Sequence, residues 1–254
     1  MNVGTVYDLA QPLFAGMPHF PTHPPFARTL TKAHGEQVLV NGASSAAELI
    51  TMGGHVGTHI DALSHFSCDG KLHGGIVPVQ SYSDGVTTLG VDTVAPIFRP
   101  AVLFDVARVK NVDALPLDYI VTPGDLEACG VRPKPGGIAL IRTGWGKFWD
   151  NASRFITGDG GPAVRGPGPK IKGAEWLSSH GIFAAGSDTV AFEQVPSHME
   201  VHVHLLVERG IHIIECLNLE SLSEAGVKEF LFVALPLKIR GGTGSPIRPV
   251  AMVE

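Results

Sequence analysis

The chain has 254 residues and a formal net charge of -5, long enough for one large domain or two small ones and without the basic excess that a phosphate backbone demands. Hydrophobic residues make up 44% and charged residues 17%, with 31 Gly and 19 Pro, which excludes a disordered chain and points to a compact fold rich in turns. The first residues form neither a basic nor an apolar leader, and no apolar run approaches the roughly 20 residues that span a bilayer. The expectation is a soluble, cytoplasmic protein with no nucleic-acid or membrane partner. Three cysteines, Cys68, Cys129 and Cys216, are too few and too widely spaced for a disulfide framework or a C-x-x-C motif, so buried, reduced thiols are expected.

Near the start, Met17-Pro-His-Phe20-Pro-Thr-His23-Pro24 is stiffened by three prolines. It presents Phe20, which either stacks on a planar substrate or packs as an ordinary ring. Further along, apolar runs rich in β-branched residues predict strands at Ala101–Val106, Ile138–Ile141, Ile182–Gly186, Ile211–Leu217 and Phe230–Leu235. Helix-like segments alternate with them. Thr122-Pro123 opens a helix that ends near Gly130, a second runs from Lys172 to His180 before Gly181, and a third runs from about Ser197 to Arg209 before Gly210. The alternation predicts α/β layers. The stretch from Thr157 to Lys170 carries too much Gly and Pro for regular structure and is expected to be an ordered loop, a lid or a subunit contact. No repeat or composition shift divides the chain, so residues 1–254 are expected to form a single domain.

The densest cluster of metal-competent side chains is His55-Val-Gly-Thr-His59-Ile-Asp61-Ala-Leu-Ser-His65. Imidazole nitrogens and a carboxylate suit Zn2+ or Mn2+, and three protein ligands leave positions open for water and substrate. The segment is too Gly-rich for a helical H-E-x-x-H site, so a bend at Gly57 is expected to bring His55, His59 and Asp61 together. His65 then serves either as general acid/base or as a fourth ligand. The bland alternative is a set of hydrogen-bonded loop residues.

His198, His202 and His204 sit on the third helix, where His204 points away from His202 at 100° per residue. His202 is therefore the candidate for the site, as a substrate-binding residue or merely a packed one. Glu215 lies in an apolar strand and needs a metal, a histidine or a backbone donor beside it. Asp188, at the end of a strand, either holds a ligand histidine by its far nitrogen or caps a turn. No G-x-S-x-G elbow, phosphate-binding loop or dinucleotide fingerprint is present.

The His55-x-Gly-Thr-His59-x-Asp61-x-x-x-His65 segment resembles the signature of the cyclase-like metal-dependent hydrolase family, which includes bacterial kynurenine formamidase and isatin hydrolase. Asp8-Leu9, Met17-Pro18, Gly186-Ser-Asp188-Thr, Gly210-Ile-His-Ile-Ile-Glu215 and the Pro236-to-Pro246 segment extend the resemblance over most of the chain. It implies a swivelling β/β/α fold with mixed sheets and flanking helices, and a homodimer or homotetramer. It also implies a divalent metal on His55, His59 and Asp61, with His65 as the catalytic acid/base. Two-metal relatives add a glutamate, matched by Glu215, and a histidine that aligns with Val203. A valine there favours one metal per chain, unless His202 or His204 reaches over from a shifted register. Phe20 stands where the family carries a tryptophan, and His23 where it carries an aspartate. The implied reaction is hydrolysis of a small cyclic amide or an aryl formamide. The alternatives are ring closure at the same metal site and a non-catalytic metal- or ligand-binding module.

Overall fold

The predicted apolar runs lie side by side in one nine-stranded sheet of the computed structural model, which describes residues 4–158 and 160–254. The order across the sheet is Thr5–Asp8, Val250–Val253, Glu229–Ala234, Ile97–Asp105, Ile138–Arg142, Ala184–Ser187, His212–Glu215, His59–Asp61 and Gly244–Pro246. The four central strands, from Ile97–Asp105 to His212–Glu215, are mutually parallel, and the flanking pairs are antiparallel. Parallel strands are buried on both faces, which is why their sequences read as continuous apolar runs. Val102, Phe104, Ala139 and Ile141 face a core shared with the helices, whereas Ala101, Leu103, Ile138 and Leu140 face a second core with Phe230 and Phe232. This is the mixed-sheet α/β architecture that the sequence led us to expect.

The helices mostly fall where capping residues put them. Thr122 accepts from the Asp125 N–H and Asp125 reciprocates at the Thr122 backbone, closing a capping box at the start of Pro123–Ala128. Gly130 follows at φ +70. The second predicted helix spans Ile171–Ser179.

The third differs from expectation. Regular helix covers only Glu200–His202 and then widens into a π-helical turn, Val203–Glu208. Its start is delayed because Met199 has φ +60 and the Glu193 carboxylate, rather than a helical carbonyl partner, engages the His202 N–H at 2.9 Å. A wide turn of this kind recurs at functional sites, where it re-aims a neighbouring side chain.

The Gly/Pro-rich stretch is tied down at several points, Asp159 lying outside the described residues. Arg165 N–H donates to the Ile156 carbonyl, Gly166 bridges to Val195, and Gly168–Pro169 pairs in parallel with Ile120–Val121, a short regular segment that the composition hid. Cys129 and Cys216 are buried and free as expected, but Cys68 is exposed, because its turn pairs only with Lys71 at the surface. Among the described residues no helix is long and apolar enough to cross a membrane. Removing the cap by Thr122→Ala is expected to cost about 1 kcal/mol, read as a fall of about 2–4 °C in the thermal midpoint by calorimetry.

Candidate metal centre

Two adjacent strands, the helix that carries His202 and the loops around them deliver the site. His59–Asp61 pairs antiparallel with His212–Glu215, setting His59 opposite Glu215 and Asp61 opposite Ile213. Side chains alternate across a strand, so Ile60 and Ile214 enter the apolar core while His59, Asp61 and Glu215 share the other face. The bend before the strand is made at Gly57, φ +74, where a Cβ would stand 2.6 Å from Leu13 Cδ2. Thr58 then pins the strand's start by donating to the Cys216 carbonyl at 2.6 Å.

Hydrogen bonds to carbonyls fix which nitrogen of each imidazole is free, because a carbonyl can only accept. His59 Nδ1–H donates to the Gly57 carbonyl at 2.8 Å, which leaves Nε2 aimed between Asp61 Oδ1 at 3.5 Å and Glu215 Oε2 at 3.4 Å. His202 Nδ1–H donates to Glu193 at 2.8 Å, which leaves its Nε2 3.3 Å from Glu215 Oε1. Both arrangements follow the pattern in which an outer carboxylate or carbonyl orients a metal-binding histidine. His55 is held differently. Its Nδ1–H donates to Asp61 Oδ1 at 2.6 Å and its Nε2 accepts from the Thr243 hydroxyl at 2.9 Å, so a cation that took His55 as ligand displaces one of these bonds.

The donor atoms fit a divalent metal. His55, His59 and Asp61 form one set of ligand atoms within 4.8 Å of one another, and Asp61, His202 and Glu215 form a second. Contacts of 3.3–3.5 Å are long for N–H···O hydrogen bonds. They match the roughly 3.3 Å that separates two atoms each about 2.05 Å from one tetrahedral ion. Asp61 Oδ2 is buried without a hydrogen-bond partner among the described residues, an arrangement that is costly unless a cation or proton meets it.

The electrostatics follow from burial and from these pairs. Burial alone favours protonation of Asp61, but the imidazoles of His65, His55 and His59 outweigh it and hold the carboxyl far below the carboxylate range. Glu215 is likewise drawn down to about 2, against its burial, by His202 and His59. His202 is pushed up to about 10, its burial overcome by the Glu193 and Glu215 carboxylates. His65 goes the other way, to about 4, because burial dominates. Its ring stacks on His55 with centroids 3.8 Å apart and meets Phe66 edge-on at 4.9 Å.

The structure brings His55, His59, Asp61, His65, His202 and Glu215 together. His202, not Val203, supplies the second imidazole, so the valine does not remove the second donor set. His204 points away as the helical geometry required, bonded to Ser178 and Glu208. Asp188 does not orient a ligand histidine. It accepts from the backbone N–H groups of Thr143, Gly144 and Gly146 and from the Thr143 hydroxyl, so it caps the turn that follows Ile138–Arg142. Phe20 packs partly buried beside Met17 and Val56, with its ring 5.8 Å from His23.

Sequence reasoning missed Glu193, Thr243 and Gly244. Glu193 stands in the apolar Val190–Val195 run, so the argument applied to Glu215, a carboxylate among apolar residues, applied to it equally. Thr243 and Gly244 lay in the Gly-rich segment that the resemblance covered and carried no signal of contact with His55.

Two imidazole–carboxylate sets that share one buried aspartate have the donor atoms to hold a divalent cation. The chain belongs to the cyclase family, whose sequence pattern matches residues 7–194. Among curated relatives, isatin hydrolase of Roseibium aggregatum is 28% identical over 98% of this chain and 91% of its own length. Kynurenine formamidase of Bacillus cereus is 27% identical over 98% of each. Among solved structures, a novel cyclase superposes with a TM-score of 0.87 at 29% identity, over 99% of this chain and 88% of its own. Isatin hydrolase A of Ralstonia solanacearum gives 0.77 at 26%, over 98% and 92%.

A Cβ on Gly244 would stand 2.4–2.9 Å from the ring atoms of His55. Gly244→Ala is therefore expected to displace His55 and lower metal affinity at least about tenfold, an effect of the size that loss of an orienting contact produces. Competition with a fluorescent chelator measures the affinity, and circular dichroism checks that the fold is kept.

Proposed function

We propose that this protein is a divalent-metal-dependent amidohydrolase that cleaves the C–N bond of a small cyclic amide of the isatin type or of an aryl formamide. The observation that carries the reading is the convergence of His55, His59, Asp61, His202 and Glu215 around the unpartnered Asp61 Oδ2, with His65 stacked beside them. Its closest support from outside the chain is that relatives covering nearly its whole length are named for these two substrates.

His55, His59 and Asp61 are the proposed ligands of one Mn2+ or Zn2+, and Asp61, His202 and Glu215 of a second. Such a cation, when bound, polarises the substrate carbonyl and acidifies water. The protein's own part is positional and protic. Glu193 keeps the His202 Nε2 turned inward, and the Gly57 carbonyl does the same for the His59 Nε2. His65 is held by stacking rather than by hydrogen bonds, and burial keeps it in its neutral, proton-accepting form at neutral pH. It takes the proton of the attacking water and passes it to the leaving nitrogen as the C–N bond breaks, with Asp61 stabilising the transient imidazolium. Phe20 is the proposed platform for the planar substrate, and the working assembly is a homodimer or homotetramer.

Elemental analysis of the metal-replete protein is expected to find close to two Mn2+ or Zn2+ per chain, falling below one in Asp61→Ala. One per chain would assign His202 and Glu215 to structure alone, and none would sink the reading. His65→Ala is expected to keep its metal and lose activity by about 10²–10⁴-fold, followed by ring opening of isatin and deformylation of an aryl formamide. Loss of metal in that variant would recast His65 as a ligand.

A further inference from the structure

His23 stands at the site without a part in the chemistry so far. Its ring lies between Phe20, with centroids 5.8 Å apart, and the catalytic imidazoles, 5.3 Å from His55 and 6.3 Å from His65. Its Nδ1 is 3.1 Å from the His55 carbonyl oxygen. That oxygen can only accept, so Nδ1 carries the proton and, in the neutral ring, Nε2 carries a lone pair on the far side of Cε1. Nε2 has no protein partner among the described residues, and it is absent from the fully buried unpaired atoms, which are Asp61 Oδ2 and Ser64 Oγ. It is an acceptor without a protein partner among the described residues, on a ring packed against those of His55 and His65.

The carboxylates of Glu193 and Glu215 and the His55 nitrogens are committed. Glu215 takes the Phe192 N–H and faces His59 and His202; Glu193 takes the His202 N–H groups and the Ser197 hydroxyl; both His55 nitrogens are bonded. Asp61 Oδ2 lies within the donor sets, and His65 must stay free to carry a proton. A secondary amide presents two groups at its scissile bond, a carbonyl oxygen and an N–H. The oxygen belongs with the cation, and an N–H desolvated without an acceptor is penalised.

We propose that His23 is a positioning residue whose Nε2 accepts the N–H of the scissile amide, so that the site favours secondary amides over their N-alkylated counterparts. The assignment rests on the amidohydrolase reading. It adds a selection by hydrogen-bond donor, which a metal and a general base do not supply, because those two groups handle the carbonyl and the proton alone.

The test is a cycle of kcat/KM on the metal-loaded enzyme at pH 8, with isatin and N-methylisatin and, in parallel, formanilide and N-methylformanilide. Wild type is compared with His23→Asn, which keeps a donor for the His55 carbonyl but lacks the Nε2 acceptor, and with His23→Phe, which keeps the ring. The preference of wild type for the N–H member is expected to fall about tenfold in both variants, the effect of one net hydrogen bond, through the N–H substrate alone. Equal losses for both members of a pair would overturn the assignment and reduce His23 to packing. Should one variant fail to fold, the other carries the same test. Turnover of neither pair by wild type would overturn the amidohydrolase reading and this assignment together, whereas turnover with an unchanged preference overturns only the role of His23.

Discussion

Three carboxylates, Asp61, Glu193 and Glu215, are buried to within a few per cent of full enclosure, and the site is built around balancing their charge. A carboxylate taken out of water costs several kcal/mol unless it is paired and hydrogen-bonded. The imidazoles of His55, His59 and His202 answer them, the last two facing two carboxylates each. Where the contacts are short, as between His202 and Glu193, a proton settles the balance; where they stretch beyond 3.2 Å around Asp61 and Glu215, the spacing suits a cation.

The sheet explains why this balance is struck at one place. The two strands that carry His59, Asp61 and Glu215 are hydrogen-bonded neighbours, so their relative positions are set by ladder register rather than by loops. A slip of one residue would turn all three side chains into the apolar core and bring Ile60 and Ile214 out. The apolar residues between the ligands therefore act as the lock on ligand geometry. Glu193, His55 and Thr243 come from loops: His55 is tied to Asp61 on this frame, Thr243 to His55, and Glu193 to His202.

The strand runs and capped helices were legible because apolar periodicity and capping chemistry are local. The metal-competent segment was legible for a related reason, since its four metal-competent side chains lie within eleven residues. What the sequence hid was long-range or depended on a departure from regular geometry. Glu193 engages the His202 N–H where the helix starts late, at Glu200, and a helix drawn from Ser197 by its stop signals leaves no room for that contact. Asp188 was open between two roles because a carboxylate at a strand end looks the same whether it faces a histidine or a turn; three backbone N–H groups decided it. Val203 stands where two-metal relatives carry a histidine, but the imidazole beside Asp61 and Glu215 is that of the preceding residue, His202, which alignment by position does not reveal.

The ligands of the centre come from positions 55–61, 202 and 215, and their supports from 193 and 243. An unfolded chain scatters these groups, so a cation bound by this geometry binds the native state and stabilises it by mass action, by about 4 kcal/mol at a thousandfold excess over its dissociation constant. Thermal stability and metal supply are then linked quantities. On the proposed metal reading, a shortage of the cation lowers the folded fraction as well as the loaded one, and a chelator shifts the molecule towards unfolding.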